Sequence, residues 1–428
     1  MSKSRDTRKK QGQPVNGWSG QASAADTTNG TTQTASSKPP RTTLGGPNGT
    51  PGPGPNEGGE VDFRKTGVNG ENFDTFGCKV FRTNPDTPDW RRADVYFERK
   101  MFGSHDIRMP DPKKTKVRFW GFEDKINDSG EQVPSPMIRV VEDQIVHVEL
   151  DSSKGSHTIH HHAIEPTTMN DGVGHVSMEI TGSYIYQWQP RQAGTYFYHC
   201  HKNTVLHFEM GMFGLLVVDP RTNEEHFART GRRLAYDPGG SGPIPEYDAE
   251  QAWVFDDVDP VWHEIPDRFD ADAGLCGEDV GLNNFNPRFF MINGEPRKPR
   301  KNASSPNVPI KKASIVAWEG DKILIRALNA SYSVVKMVLP LEVQLISVDG
   351  RPLNQPWNSW VTYKPFEPIY ISTANRYDLL IDLTSPANQN ARGTLTADFE
   401  FQHWIKRTIH NAGDLVYEGT ASTTIEIV

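Results

Sequence analysis

Histidines and a cysteine, all side chains that bind metals, concentrate in one part of this chain. Eight of the 14 histidines lie between residues 157 and 207, and one of the three cysteines lies among them. Two short clusters contain His157, His160, His161 and His162 in the first and His199, Cys200, His201 and His207 in the second. Imidazole and thiolate groups are common ligands of transition metals. Buried without a metal, several of these donors would lack partners, which is costly. The pattern therefore predicts a metal centre.

The alternation of side chains between the two faces of a β-strand divides both clusters. Cys200 points to one face of its strand, while His199 and His201 point to the other. In the first cluster, His160 and His162 share a face, and a regular strand would place the other two histidines on the opposite face. Two separate groups of donors follow from this division.

The first group combines a thiolate, two imidazoles and a thioether. Its members are Cys200, His157 and His207, with Met212 as the predicted axial ligand and Met210 as the alternative. Two histidines, a cysteine and a weak axial methionine form the ligand set of a blue-copper electron-transfer site. We therefore expect one copper ion here.

The second group consists of four imidazoles, on His160, His162, His199 and His201. Imidazoles suit copper, zinc, iron or nickel. The continuous run of residues 199–201 would connect this group covalently to the Cys200 site. We expect at least one further metal ion here; the alternative is a vestigial cluster on an exposed strand face.

These motifs resemble those of the multicopper oxidases and the related copper nitrite reductases, which are built from cupredoxin domains. The resemblance covers roughly residues 61–428, and residues 171–173, 193–196 and 375–382 are similar to further landmarks of the family. The residues that match the family's ligand pattern are His157, His160, His162, His199, Cys200, His201, His207 and Met212.

Three departures from the family pattern stand out. Six residues separate Cys200 from His207, a spacing between those of the oxidases and the nitrite reductases. His160 replaces the acidic residue that the nitrite reductase pattern would place there. Met337 and Leu339 stand where an oxidase domain would carry two histidines. The resemblance implies eight histidines for a complete three-copper cluster, and the first domain offers only four.

The resemblance implies a copper-dependent oxidoreductase. A small-molecule or protein donor would give single electrons to a type 1 copper near the exposed edge of His207. Electrons would pass through Cys200 to a type 2/3-like copper site at which His162 and His199 act in catalysis, and we expect two coppers per chain. Oxygen is the expected acceptor and nitrite the alternative. A copper electron carrier or copper-handling protein remains an alternative from a different class.

The elements that must position these ligands are short strands separated by residues that favour turns. This pattern predicts an all-β fold of two Greek-key cupredoxin-type β-sandwich domains, preceded by a disordered tail. The predicted strands span residues 116–122, 137–141, 144–150, 184–189, 195–201, 212–218, 315–318, 322–328, 342–348, 377–383, 394–401 and 420–428.

The domain organisation follows from shifts in composition. Residues 1–60 contain a single aromatic residue and many Ser, Thr, Gly and Pro residues, so we expect a disordered tail. Residues 61–220 form the predicted copper-binding domain, and residues 221–428 a linker followed by a second cupredoxin-like domain without copper ligands. The polar stretch 229–250 is the predicted linker.

The remaining histidines and cysteines have weaker signals. We interpret His161 as a packing residue and His175 as a surface residue. Cys78 and Cys276 either pair or remain separate thiols. The candidates for completing a copper site across a subunit boundary are His263, His403 and His410, although a structural role is favoured for each.

Charge and hydropathy restrict the partners. The formal net charge of −8 argues against nucleic acid as the main partner. No apolar run approaches the roughly 18 residues of a membrane-spanning helix. The start of the chain shows no secretory leader, yet the copper sites and a possible disulfide favour a periplasmic or secreted protein, with a cytoplasmic location as the alternative. The resemblance also implies a homotrimer, in which a neighbouring subunit covers the outward-facing histidines.

Overall fold

Strands dominate the regular structure of the computed structural model, which describes residues 41–44, 93–174, 179–239, 242–298, 307–353, 359–403 and 419–428. The strands are β1 (Val95–Arg108), β2 (Lys116–Asp124), β3 (Ser135–Val141), β4 (Val146–His157), β5 (His160–His162), β6 (Ile180–Trp188), β7 (Gly194–His199), β8 (Phe213–Asp219), β9 (Arg233–Leu234), β10 (Glu246–Tyr247), β11 (Ala249–Val258), β12 (Phe289–Ile292), β13 (Glu295–Pro296), β14 (Ile315–Ala317), β15 (Lys322–Asn329), β16 (Val334–Val338), β17 (Val343–Val348), β18 (Arg351–Pro352), β19 (Val361–Tyr363), β20 (Pro368–Ile371), β21 (Arg376–Asp382), β22 (Gly393–Gln402) and β23 (Thr420–Ile427).

Helical segments are short and lie between strands. The α-helices are α1 (Thr204–Glu209), α2 (Asn223–Thr230) and α3 (Ile265–Arg268), and the 3₁₀ turns are Thr168–Asn170, Trp262–Glu264 and Lys311–Ala313. None of the helices in the described residues is long and apolar enough to cross a membrane.

Two four-stranded sheets form the first sandwich. One has the strand order β2-β1-β4-β6 and the other β3-β8-β7-β5. Alternating residues of these strands face each other across an aromatic-rich core that includes Tyr186, Trp188 and Tyr198. This alternation is what period-two strand patterns predict.

Two further sheets form the second sandwich. Their strand orders are β13-β12-β11-β15-β21-β17-β18, with β19 also pairing with β17, and β14-β23-β22-β16-β20. Met337 and Leu339 are buried in the core between these sheets. The predicted all-β class is therefore confirmed, and each predicted strand overlaps an observed one.

The two sandwiches pack closely against each other. Every residue of β7, β8 and β11 is buried. One face of each strand packs in the core of the sandwich to which the strand belongs. The other face packs in an apolar cluster between the sandwiches, which contains Phe197, Leu215, Val254 and Leu328. Strands at this interface are therefore apolar on both faces.

A buried network of charges crosses the same interface. Arg139 binds Asp219 and Glu250, with Nε–Oδ2 and Nη1–Oε2 distances of 2.7 and 2.8 Å. Glu250 also binds Arg326, which in turn lies 3.6 Å from Asp378. All five side chains are almost fully buried. Burial would raise the pKa of Glu250, but the two guanidinium groups outweigh it and hold the pKa at about 2.

The stretch 229–250, which we predicted to be a linker, is an ordered connection between the two sandwiches where it is described. Strands β9 and β10 pair within it, and Tyr236 and Tyr247 are buried. The Tyr236 hydroxyl donates to the carbonyl of Ile346 at 3.1 Å and accepts from Trp360 Nε1 at 2.7 Å. These two hydrogen bonds hold the stretch against the second sandwich.

Residues 41–44, within the predicted tail, contact the second sandwich. The Thr42 amide donates to the Val316 carbonyl at 2.9 Å, and the Glu250 amide donates to the Thr42 carbonyl at 2.7 Å. Arg41 binds Asp321 and lies over the Trp318 ring. This short segment therefore bridges two strands of the second sandwich. The rest of the predicted tail lies outside the described residues.

We predict that Glu250→Gln destabilises the protein by about 3–5 kcal/mol at pH 7, because it leaves two buried arginines without their shared carboxylate. The pKa of Glu250 is depressed by folding, so its contribution is present above the unfolded pKa of about 4.5 and is lost as the pH falls toward 2. Urea unfolding at several pH values measures both effects.

The matched control is Glu224→Gln. Glu224 is exposed and forms a surface ion pair with Arg233, so its loss should cost no more than about 1 kcal/mol. Equal destabilisation by the two substitutions would contradict the assigned role of the buried network.

Candidate metal centre

Strand β7 carries two potential ligands to opposite sides of one sheet. It pairs with β5 on one edge and β8 on the other. Cys200 follows its last residue, and its amide donates to the Met212 carbonyl at 3.0 Å. Cys200 enters the core of the first sandwich, whereas His199 packs against Phe197 and Phe208 on the other face. The strand alternation predicts this division.

The first histidine cluster spans two strands, so the condition of one regular strand is not met. His157 ends β4 in one sheet and His160 begins β5 in the other. Residues 158 and 159 make the crossing, where the Ile159 amide donates to the Tyr186 hydroxyl at 3.1 Å. The crossing sends His157 toward Cys200, while His161 packs against Trp188 in the core.

Three ligand atoms converge in what we call the cysteine cluster, formed by His157, Cys200 and His207. Cys200 Sγ lies 3.7 Å from Nδ1 of His157 and 3.3 Å from Nδ1 of His207. The three ligand atoms all lie within 4.8 Å of one another. Atoms bound to one metal at about 2.0–2.3 Å are separated by about 3.3–3.8 Å. The spacing therefore fits a shared metal ion.

The protonation of the cysteine cluster also suits metal binding. Burial lowers the pKa of His157 to about 3 and that of His207 to about 4, so both rings are neutral at pH 7. Burial raises the pKa of the Cys200 thiol to about 11, so a metal ion must displace its proton. His207 Nε2–H donates to the Ala271 carbonyl at 2.9 Å, which leaves the Nδ1 lone pair facing Cys200.

Both candidate methionines lie beside this cluster. Met210 and Met212 are fully buried in the same hydrophobic cluster as Cys200. Met212 as the axial ligand, with Met210 as the alternative, stays a prediction.

The expected exposed edge of His207 is not present, and this expectation was wrong. The His207 side chain has 0% of its surface exposed. Its outer ring nitrogen, Nε2, donates a hydrogen bond to the Ala271 carbonyl. The covering group is a backbone carbonyl distant in sequence, which no local pattern would reveal.

A second site, the three-histidine cluster, combines His160, His162 and His199. One ring nitrogen from each lies within 4.8 Å of the other two, and His162 Nδ1 lies 3.2 Å from His199 Nε2. The His201 ring centre lies 5.2 Å from that of His160, while its Nδ1 lies 3.1 Å from the Thr204 hydroxyl. His201 thus borders the cluster without joining its closest group of nitrogens.

Backbone carbonyls orient two rings of this cluster. His160 Nδ1–H donates to the Asp171 carbonyl at 2.6 Å, and His199 Nδ1–H donates to the Cys200 carbonyl at 2.9 Å. Each contact leaves Nε2 with a free lone pair for a metal. Burial, with a smaller effect of Arg376, lowers the pKa of His162 to about 3. The His160 and His199 rings are therefore oriented, and His162 is neutral at pH 7.

Asp171 is a site residue that the sequence marked only as part of a landmark. Its carboxylate lies 3.4 Å from His160 Nδ1, in addition to the carbonyl contact. The turn that brings it there depends on Gly172, which has a φ of +69°. A Cβ at Gly172 would lie 1.9 Å from the Ile159 carbonyl oxygen. Only glycine fits at this position.

The other candidate ligands have structural contacts or lie outside the described residues. His263 donates to the Arg118 carbonyl and His403 to the Phe285 carbonyl, and both rings are buried inside the chain. These contacts support structural roles. Cys276 is an exposed free thiol. The candidates outside the described residues are His175, His410 and Cys78.

Known proteins are similar to this chain in sequence and in fold. Residues 113–223 match the family model for multicopper oxidases. Oxidoreductase OpS5 of Beauveria bassiana is 29% identical over 284 residues, which cover 62% of this chain and 40% of that protein. Copper resistance protein A of Escherichia coli is 29% identical over 293 residues, which cover 63% of this chain and 45% of that protein. A copper-containing nitrite reductase of Neisseria meningitidis is 30% identical over 108 residues, which cover 25% and 26%.

Solved structures show the same fold over most of the chain. The blue copper oxidase of Nitrosomonas europaea has a TM-score of 0.53 at 21% identity, covering 78% of this chain and 85% of that one. The multicopper oxidase mgLAC has a TM-score of 0.52 at 21% identity, and the match covers 78% of this chain and 86% of that one. The fold is thus that of the multicopper oxidases. Residues 113–223 match the model of that family, and the chain spans less than half the length of the curated relatives named here.

We predict that Gly172→Ala weakens metal binding at the three-histidine cluster by about 10- to 100-fold, because it displaces the carbonyl that orients His160. Binding at the cysteine cluster should not change. Copper titration followed by electron paramagnetic resonance separates the two sites.

The control is Gly182→Ala, which places alanine at a φ of +96° with no heavy atom within 4 Å of the new Cβ. It reproduces the backbone strain without the clash. If Gly172→Ala binds copper as Gly182→Ala does, the carbonyl of Asp171 does not support the cluster.

Proposed function

We propose that this chain is a copper-dependent oxidoreductase. It takes single electrons from a donor at the cysteine cluster and delivers them to an acceptor at the three-histidine cluster. One observation carries this proposal: Cys200 and His199 are adjacent residues that belong to different clusters. Two donor sets joined in this way suit transfer between them better than storage of a single ion.

The donor atoms fit copper. Two neutral imidazoles and a thiolate select copper over harder ions, and the remaining imidazoles also suit it. Bound copper would supply the one-electron redox chemistry. His157, Cys200 and His207 would hold a type 1 copper, with Met212 as axial ligand. The second site would be of the type 2/3 kind.

The chain itself provides the path between the sites. The Cys200 side chain reaches its own carbonyl through covalent bonds, and that carbonyl accepts the 2.9 Å hydrogen bond from His199 Nδ1–H. This contact bypasses part of the covalent route from the thiol to the His199 ring. His199 would therefore both bind the second metal and carry electrons to it from Cys200.

The acceptor would bind at the half-exposed side of the three-histidine cluster. His162 and His199 would contact the reacting species, with His160 and His201 completing the site. Oxygen is the acceptor we propose. Nitrite is the second candidate, because part of the chain resembles a nitrite reductase. Four histidines fall short of the eight implied for a full three-copper cluster, so we propose two coppers per chain.

The assembly and location follow from the same features. The half-exposed histidines suit coverage by another subunit, and we propose a homotrimer. A thiolate copper site also suits an oxidising compartment, so we propose a periplasmic or secreted protein.

We predict that the copper-loaded protein is intensely blue and that Cys200→Ser removes the colour, because the absorption requires a thiolate ligand. His162→Ala should keep the blue colour but lose the non-blue paramagnetic signal and reduce oxygen uptake by more than about 100-fold, since the acceptor loses its ligand site. Copper analysis, visible absorption and electron paramagnetic resonance read the two sites separately.

The control is His105→Ala, which removes a histidine that packs on Phe102 outside both clusters. It should match the wild type in colour and turnover. A colourless protein with full copper content would contradict the type 1 assignment. One copper per chain without turnover would favour the electron carrier.

We predict a homotrimer in light scattering of the copper-loaded protein. A monomer with both sites filled would show that one chain completes its own sites and would overturn the trimer.

A further inference from the structure

The cysteine cluster is covered by a segment that its own sandwich does not supply. Residues 269–285, which we call the cap, follow α3 and precede β12. The Ala271 carbonyl within the cap accepts from His207 Nε2–H at 2.9 Å. The outer edge of the imidazole is therefore already bonded and has no solvent contact.

Two residues that follow Cys200 hold the cap by polar contacts. Lys202 Nζ binds a carboxylate oxygen of Asp272 at 2.9 Å. Asn203 Nδ2 donates to the Ala273 carbonyl at 3.0 Å and to the Ala271 carbonyl at 3.4 Å. These contacts hold residues 271–273 and fix the Ala271 carbonyl over His207.

Apolar contacts secure the underside of the cap. Ala273 and Phe285 are buried in the hydrophobic cluster that contains Cys200, and Leu282 packs against it. The Phe285 ring lies 4.9 Å from that of Trp262. The cap is thus part of the packed structure and not a loose loop.

We propose that the cap determines which electron donors the protein accepts. It prevents an aromatic small molecule from contacting His207, so electrons enter only from donors that transfer across the cap without touching the imidazole. This inference rests on the proposed function. It names the excluded class, neutral phenols and diphenols, and the accepted class, outer-sphere one-electron reductants.

The first test uses the metal-free protein and does not depend on activity. Diethyl pyrocarbonate modifies accessible neutral imidazoles, and mass spectrometry locates the products. We expect His207 to react at least about tenfold more slowly than the half-exposed His201. The double variant Asn203→Gly/Asp272→Ala removes the polar anchors, and glycine tolerates the φ of +43° at position 203. We expect it to speed modification of His207 by about tenfold.

The second test uses the copper-loaded protein without oxygen. Bleaching of the blue band by a substituted hydroquinone should be about tenfold faster in the double variant than in the wild type. Bleaching by hexaammineruthenium(II), which transfers an electron without contact, should change by less than about twofold. Asp272→Ala alone, a milder change at a half-exposed residue, should move both readouts in the same direction.

The matched control is Asp279→Ala, which removes the same charge from an exposed position of the cap. It should leave both readouts at wild-type values. If His207 reacts as fast as His201 in the wild type, or if a blue double variant bleaches at the wild-type rate with the hydroquinone, the cap inference is overturned. A copper-loaded wild-type protein that stays colourless would instead overturn the proposed function and, with it, the restriction on donors.

Discussion

The structure depends on one geometric constraint, the alternation of side chains along β7. Neighbouring residues on a strand point to opposite faces of the sheet. Cys200 therefore enters the core of the first sandwich, while His199 faces the other side. The two clusters are separated by the thickness of a sheet, yet they are joined by adjacent residues.

The second sandwich completes this arrangement although its described residues hold no histidine cluster of their own. Its apolar contact with Phe197 buries the outer face of β7. The network of Arg139, Glu250 and Arg326 fixes the two halves relative to each other, since partners separated by any shift would leave buried charges unpaired. The segment that leads into its strand β12 supplies the carbonyl that covers and orients His207.

The sequence was sufficient to assign Cys200 and His199 to opposite faces of the sheet, because side-chain chemistry and the strand period are local properties. The sequence did not reveal the contacts in which backbone carbonyls orient the histidine rings. The carbonyls of Ala271 and Asp171 orient His207 and His160, and any residue type could provide a carbonyl. The crossing at residues 158 and 159 was missed for a related reason, since the run looks like one strand until sheet pairing divides it.

The most direct test of two joined metal sites is a crystal structure of the copper-loaded protein with anomalous data at the copper edge. The account predicts one anomalous peak among His157, Cys200 and His207, and another beside His160, His162 and His199. A single peak at the cysteine cluster, with none at the histidines in a fully loaded protein, would contradict the account and identify a one-copper electron carrier.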